Sequence, residues 1–378
     1  MTTENLRTDD KSEIVIERSG SAGLITLNRP KALNALSLQM VRDLTAALTA
    51  WRDDPAVLLV AIRGSNKKGQ PGTSEALFGG FCAGGDIRFF HQAAFAGDAS
   101  LEDFFTEEYT LNHLIHTYPK PFIAFMDGVV MGGGMGLAQG AAVRIVTEHT
   151  KMAMPETNIG LFPDVGGGYF LSRCPGHVGE YLALTGEVIG ADEAIGYGLA
   201  DVKRDAAQLP AIWLALGQQV FASTADAAKW LAMQFVADPA RGQKATAHID
   251  TYFSLLRVKH IVDALEKAKD DPWALKVAVI LRKRSPLMLH VTLEQIRRAR
   301  GMSLLDDLRM ERDMVYQCFH HRPGASSETV EGIRALAVDK DYSPKWNPAR
   351  IEDVKPGMAD AFFESPWALD MHPLRHLA

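Results

Sequence analysis

The feature that most constrains this chain is a pattern that occurs twice: an unbroken apolar run, then glycines, then the start of a helix. Val57 to Ile62 (VLLVAI) is followed, after a polar loop, by FCAGGDI at Phe81 to Ile87. Phe122 to Met126 runs into DGVVMGGGMGLAQG, where Gly132, Gly133 and Gly134 precede a second helix. Continuous apolar runs of this length are expected of strands buried on both faces, since a strand with one wet face alternates. Strands of this kind alternating with helices give an α/β class. The glycines carry a second implication. The first amides of a helix lack intrahelical partners, and glycine lets a ligand oxygen approach them closely. Two such turns facing each other would form an oxyanion hole for the negative oxygen that develops when a thioester or ester carbonyl is attacked or enolised. Tight helix packing explains either turn alone about as well.

The flanking segments fit the same class. Ile14 to Pro30 shows β-branched alternation around Gly20 to Gly23, a hairpin signal, and Ser37 is an N-cap for an amphipathic helix with Leu38, Val41, Leu44 and Leu48 on one face. The loop from Gly64 to Gly80 is long enough to be a lid or binding loop. Val143 to Thr147 and Lys151 to Met154 read as strands, and a helix around Ala191 to Tyr197 leads to a last short strand. From about Asp205 the periodicity turns helical, over Leu209 to Ala222, Ala225 to Val236, Ala247 to Ala268, Trp273 to Arg284 and Leu305 to Phe319. Ser285 with Pro286, and Thr292 with Glu294, are read as breaks between helices. The expected organisation is a core over residues 14–205, a helical region over 206–352 packed on it, and tails at 1–13 and 353–378.

The stretch MPETNIGLFPDVGGGYFLSR, Met154 to Arg173, holds two carboxylates, Glu156 and Asp164, each directly after a proline. Proline fixes its own φ and disfavours helix before it, so both acids sit where the backbone is stiff and irregular. Apolar neighbours such as Ile159, Leu161 and Phe162 would move their pKa values, which acid/base or nucleophilic chemistry uses. Two surface acids in a glycine-rich turn is the plainer alternative.

Composition narrows the classes. The 378 residues, 47% hydrophobic and 23% charged, fit a globular chain, and a net charge of −6 with both signs dispersed gives no footprint for nucleic acid. No apolar run approaches the ~20 residues of a membrane span. Cys82, Cys174 and Cys318 are an odd set without a CxxC, which argues against a disulfide framework or a thiolate zinc site and for a reducing, cytoplasmic setting. The N-terminus, MTTENLRTDDKSE, has neither a signal-peptide core nor a transit composition. Neither glycine turn matches G-x-G-x-x-G, and there is no Walker A motif and no G-x-S-x-G elbow. His113 and His116, or His320 and His321 near Cys318, lack an H-E-x-x-H context, so no metal is expected.

NRPKALNAL (Asn28 to Leu36), FCAGGDI, MGGGMGLA, MPETNIGLFPDVGGG and the TG…A-x-EA…GLAD run together resemble the crotonase (enoyl-CoA hydratase/isomerase) superfamily. Within it, PET…GLFPDVGGGYFLSR with SPLMLHVTLEQI and DKDYSPKW is similar to the 3-hydroxyisobutyryl-CoA hydrolases of valine breakdown, from about residue 14 to 350. The resemblance implies a crotonase-like spiral of ββα repeats with a C-terminal helical region. It implies oxyanion-hole amides at Gly85 and Gly133, a pantetheine arm along Ala83 and Asp86, catalytic acids at Glu156 and Asp164, and a substrate contact at Glu108. Glu108 alone reads equally as a solvated helix charge. Hydratases of the superfamily carry a glutamate where this chain has Gly136, and glycine where it has Asp164, which favours hydrolysis over hydration.

The implied reaction is cleavage of a short 3-hydroxyacyl-CoA thioester, with Glu156 as nucleophile or general base, and with no cofactor beyond the CoA of the substrate. The implied partner is that small molecule, with a homo-oligomer possible and neither nucleic acid nor membrane. A hydratase or isomerase of the same fold, and a silent acyl-CoA-binding protein, are the alternatives. Two segments depart from the family pattern: HHRPGASSETV, His320 to Val330, and the long loop Asn66 to Phe78.

Overall fold

The computed structural model describes residues 12–66 and 79–378. Most of the N-terminal tail and most of the 64–80 loop therefore fall outside the described residues. The chain divides into two compact units, neither of them contiguous: Met1–Gly85, Leu111–Met152 and Val188–Lys244 form one, and Asp86–Thr110, Ala153–Glu187 and Ala245–Ala378 the other. This division cuts across the boundary expected after residue 205. Residues 206–244 join the first unit because their helices cover its sheet, while 86–110 and 153–187 join the second.

The first unit is built on strands β1 (Ile14–Ser19), β2 (Ala22–Leu27), β3 (Leu59–Gly64), β4 (Phe122–Met126), β5 (Val129–Met131), β6 (Val143–Val146), β7 (Lys151–Ala153) and β8 (Val202–Lys203). Six form one sheet in the order β1-β2-β3-β4-β6-β8, and β5 pairs with β7. The β1–β2 hairpin is antiparallel and every later pairing in the large sheet is parallel. Every residue of β2, β3 and β4 is buried, as the apolar runs of β3 and β4 lead one to expect, and the burial extends to Thr26 of β2 and Arg63 of β3, where Arg63 Nε donates to Thr26 Oγ1. On one face Leu24, Ala61, Phe125, Ile145 and Val202 cluster with Trp213 and Leu216 of the helix Leu209–Gln218, with Leu231 of the helix Thr224–Gln234 and with Phe235, which caps it. Phe125 and Trp213 meet edge to face with centroids 5.3 Å apart. Gly23 alternates with Leu24 and so points to the other face, where the ring of Trp51 closes on it. A Cβ at Gly23 would lie 2.5 Å from that ring. Trp51 belongs to the helix Leu38–Asp53, whose N-cap is Ser37, accepting the Met40 amide.

The second unit is helical. Its inner helix, Val178–Thr185, is buried at every position and packs against Ala247–Phe253, Pro272–Leu281 and Pro286–Ala299. Two expectations are corrected here. Thr292 breaks nothing: it is fully buried within Pro286–Ala299, and the break lies at Ser285, whose hydroxyl caps Met288 and donates to Glu328. Residues 247–268 form two helices, Ala247–Phe253 and Val258–Lys267. The carbonyls of Leu255 and Leu256 between them accept from the Arg297 guanidinium instead of from a continuing helix. The tail after 353 carries no long element, yet buries Phe362 and Leu374. Among the described residues no helix is long and apolar enough to cross a membrane.

Candidate active site

The two glycine turns meet inside the first unit. Cys82 forms a parallel bridge to β5 opposite Val130, its amide donating to the Val129 carbonyl at 2.9 Å and its carbonyl accepting from Met131 at 2.9 Å. Ala83 N–H donates to Leu33 and Leu36 N–H to Gly84, so the first turn is pinned from both sides. The position of Gly84 admits no side chain without strain: φ is +99°, and a Cβ there would come within 3.3 Å of the Gly133 amide nitrogen. Gly132 turns the chain with φ +49° and Gly133 opens the helix Gly133–Gln139. The two turns approach each other at Gly84 and Gly133, and neither the Gly85 nor the Gly133 amide donates to another described residue. Gly136 is buried in the same helix and supplies no side chain.

The acids gather in the second unit. Glu156 follows Pro155 and opens a single 3-10 turn, Glu156–Ile159, closed by Gly160 at φ +68°. Three groups hold that turn from outside: Thr157 Oγ1 donates to Leu184 O, Arg284 Nη1 to Asn158 Oδ1 at 2.7 Å, and Thr329 Oγ1 to Gly160 O at 2.7 Å. Thr329 comes from the His320–Val330 segment that departs from the family pattern, and there Ser327 caps the short helix Glu328–Ile333. Asp164 follows Pro163, and its carbonyl accepts from Gly167 at 2.8 Å. The next residue, Val165, has φ +57°, a left-handed conformation that a β-branched residue adopts only when its surroundings impose it.

Glu108 is not the solvated charge that its helix position also allowed. It is 2% exposed, and Glu156 and Asp164 are 6% exposed each. Burial pushes the Glu156 carboxyl well above the ordinary range, and the Asp164 charge adds to it. Burial likewise raises Glu108, with Asp164 and Glu156 as further contributors. Asp164 rises to about 6, burial outweighing the Tyr109 hydroxyl, which donates to Oδ2 at 2.9 Å. Three enclosed carboxyls that repel one another each resist ionisation while a neighbour is charged, and this adds to the burial that is the common cause of the raised values. Glu108 Oε1 and Glu156 Oε2 make no hydrogen bond to any described residue.

Of the expected site residues, then, Gly85, Gly133 and Ala83 belong to the first unit, and Glu108, Glu156 and Asp164 are brought together in the second. Asp86, also in the second, uses its carboxylate to accept the amides of Arg88 and Phe89 and so caps the helix Ile87–Ala96. Among the described residues no group of three His, Cys, Asp or Glu is arranged to hold a metal ion.

Three side chains that contact Asp164 or the backbone after it escape the sequence reading. Tyr109 adjoins Glu108 but looks like any helix tyrosine. Asp307 and Glu311 lie in LLDDLRMERD, which resembles a polar face. Their signal is positional: they fall on the stripe that also carries Leu308, Met314, Val315 and Cys318.

A family model described as enoyl-CoA hydratase/isomerase matches residues 22–363. A mitochondrial 3-hydroxyisobutyryl-CoA hydrolase of Gallus gallus is 38% identical over 362 residues, 94% of this chain and 90% of its own. A solved enoyl-CoA hydratase from Rhodobacter sphaeroides 2.4.1 is similar with a TM-score of 0.80 and 35% identity, over 94% of this chain and 98% of its own. A solved carnitinyl-CoA dehydratase from Mycobacterium thermoresistibile gives 0.80 and 36%, over 97% and 99%. The α/β class and the crotonase-like fold expected from the sequence are borne out by these likenesses.

Proposed function

Because the chain belongs to the enoyl-CoA hydratase/isomerase family, we propose that it hydrolyses the thioester of 3-hydroxyisobutyryl-CoA, or of a close short 3-hydroxyacyl-CoA, to the free acid and CoA, as in valine breakdown. The observation that carries this reading is the pairing of Asp164 with Glu156 in a buried cluster, together with Gly136 at the position where a hydratase has its second glutamate. The hydrolase name of the Gallus gallus relative supports it.

In this reading the thioester oxygen accepts the amides of Gly85 and Gly133, which stabilise the charge that grows there during attack. Glu156 attacks the carbonyl carbon to give an anhydride that water opens, or takes a proton from the attacking water. By either route the C–S bond breaks, water supplies the new carboxyl oxygen and CoA leaves as the thiol. Asp164 hydrogen-bonds the 3-hydroxyl, orients water or protonates the leaving sulfur. Its pKa of about 6 suits a group that gives and takes a proton near neutrality. Glu108 contacts the substrate, and Ala83 and Asp86 flank its pantetheine arm. The chemistry asks for no cofactor beyond the substrate's own CoA. A homo-oligomer in the cytoplasm completes the proposal. The Gallus gallus relative is named mitochondrial, so fractionation of the source cells is the test of compartment.

The decisive assay incubates the protein with a panel of short acyl-CoAs and follows free thiol against double-bond absorbance. Thiol release on 3-hydroxyisobutyryl-CoA, abolished by Glu156→Gln while CoA-ester binding persists, is the expected result. Full activity in Glu156→Gln would sink the assignment. Interconversion of enoyl- and 3-hydroxyacyl-CoA without thiol would make the protein a hydratase, and binding without turnover a silent acyl-CoA-binding protein.

A further inference from the structure

We propose that Glu311 is a positioning residue for Asp164: its buried carboxylate grips the backbone on both sides of Gly167 and so fixes the turn that presents the acid. The inference rests on the proposed thioester hydrolysis and adds to it a residue outside the acid cluster. Glu311 Oε2 accepts the Gly166 amide at 2.7 Å, and Oε1 accepts the Gly168 amide at 2.9 Å. Gln295 Nε2 donates both to Glu311 Oε1 at 3.0 Å and to the Pro163 carbonyl at 2.6 Å, so the same clamp reaches the residue before Asp164. One turn on, Asp307 Oδ2 accepts the Tyr169 amide at 2.7 Å. Gly168 permits that approach, since a Cβ there would lie 2.3 Å from Asp307 Oδ1.

The chemistry requires an acceptor at both oxygens. Three N–H groups converge on the Glu311 carboxylate, and only an acid side chain offers two oxygens and no donor. Glu311 and Gln295 are fully buried, so no water competes for these bonds. Burial and the neighbouring Asp307 raise the Glu311 pKa, while the Gly168 and Gly166 amides oppose this by favouring the anion. The clamp also accounts for Val165. Amides held at 166 and 168, with the Asp164 carbonyl tied to Gly167, leave the intervening valine in its left-handed conformation. Among the described residues, the Glu311 carboxyl accepts from the Gly166 and Gly168 amides and from Gln295. Its charge also repels that of Asp164, so the proposed route through placement is told from a purely electrostatic one by Gln295→Leu, which loosens the clamp and leaves the Glu311 carboxyl in place.

The test is a double-mutant cycle in the free-thiol assay. Glu311→Gln turns an N–H toward an N–H and should lower kcat by about 10- to 100-fold, as sub-ångström misplacement of a reacting group does, with KM within about 3-fold. In an Asp164→Asn background the same change should lower kcat by less than about 2-fold, because the group it positions is already gone. The limb of the pH–kcat/KM profile that Asp164→Asn removes should shift in Glu311→Gln. Gln295→Leu, a milder change, should show the same dependence on Asp164 even if Glu311→Gln folds poorly. An unchanged kcat, or an equal loss in both backgrounds, overturns the inference. A wild-type protein that releases no thiol overturns the proposed function instead, so the two failures are distinct.

Discussion

Asp164 keeps company with two more carboxyls and a phenol in a largely buried place, and this makes its proton a thermodynamic handle on the whole fold. Its pKa rises from 3.8 in the unfolded chain to about 6. Below pH 3.8 both states hold the proton. Between the two values only the folded state does, so folding loses stability as pH rises, and the loss is complete above about 6. At ~1.4 kcal/mol per pH unit this amounts to about 3 kcal/mol. Asp164→Asn cannot ionise and escapes that loss. Its unfolding free energy relative to wild type should therefore rise by about 3 kcal/mol between pH 4 and pH 8 in urea titrations, and an equal difference at both pH values would contradict the raised pKa. Asp164 and Glu156 are legible in the sequence because a proline precedes each and sets it in irregular backbone. Glu108 is legible only by resemblance, since a glutamate on a helix looks the same whether it faces solvent or two other acids.

The glycine turns are where an element's geometry predicts chemistry most directly. Gly133 is the first residue of its helix, the position that tolerates proline best because its amide has no helical partner. Gly133→Pro should therefore leave the helix in place while deleting one donor, and kcat should fall by about 10² or more. An unchanged kcat in a folded variant would remove Gly133 from the reaction. The strand–glycine–helix pattern is visible in sequence because β3 and β4 are apolar at nearly every position. The helical region is less transparent. The acids at 307 and 311 obscure the apolar stripe they lie on, and the interruption near 255 depends on an arginine 42 residues away along the chain. Helical periodicity reports neither, since both are set by tertiary partners.

At the scale of the molecule, the tail after 353 belongs to the fold although its sequence shows no period. Phe362 and Leu374 are buried, Gln317 donates to the Glu364 carbonyl, and Arg309 to that of Leu377. Deleting residues 360–378 uncovers the helix Leu304–His320. At about 2 kcal/mol for each of two large apolar side chains, it should lower Tm by roughly 5 °C in calorimetry. A truncated protein that melts with the full chain would show the tail to be dispensable. The interleaving of the two units also sets an order of events at the ribosome. Gly166 is made 145 residues before the Glu311 that grips it. At roughly 5–20 residues per second, the turn that presents Asp164 emerges about 7 to 30 s before its clamp exists. For that interval Asp164 is on the nascent chain without the groups that hold its turn, so the clamped geometry forms only after residue 311 has been made.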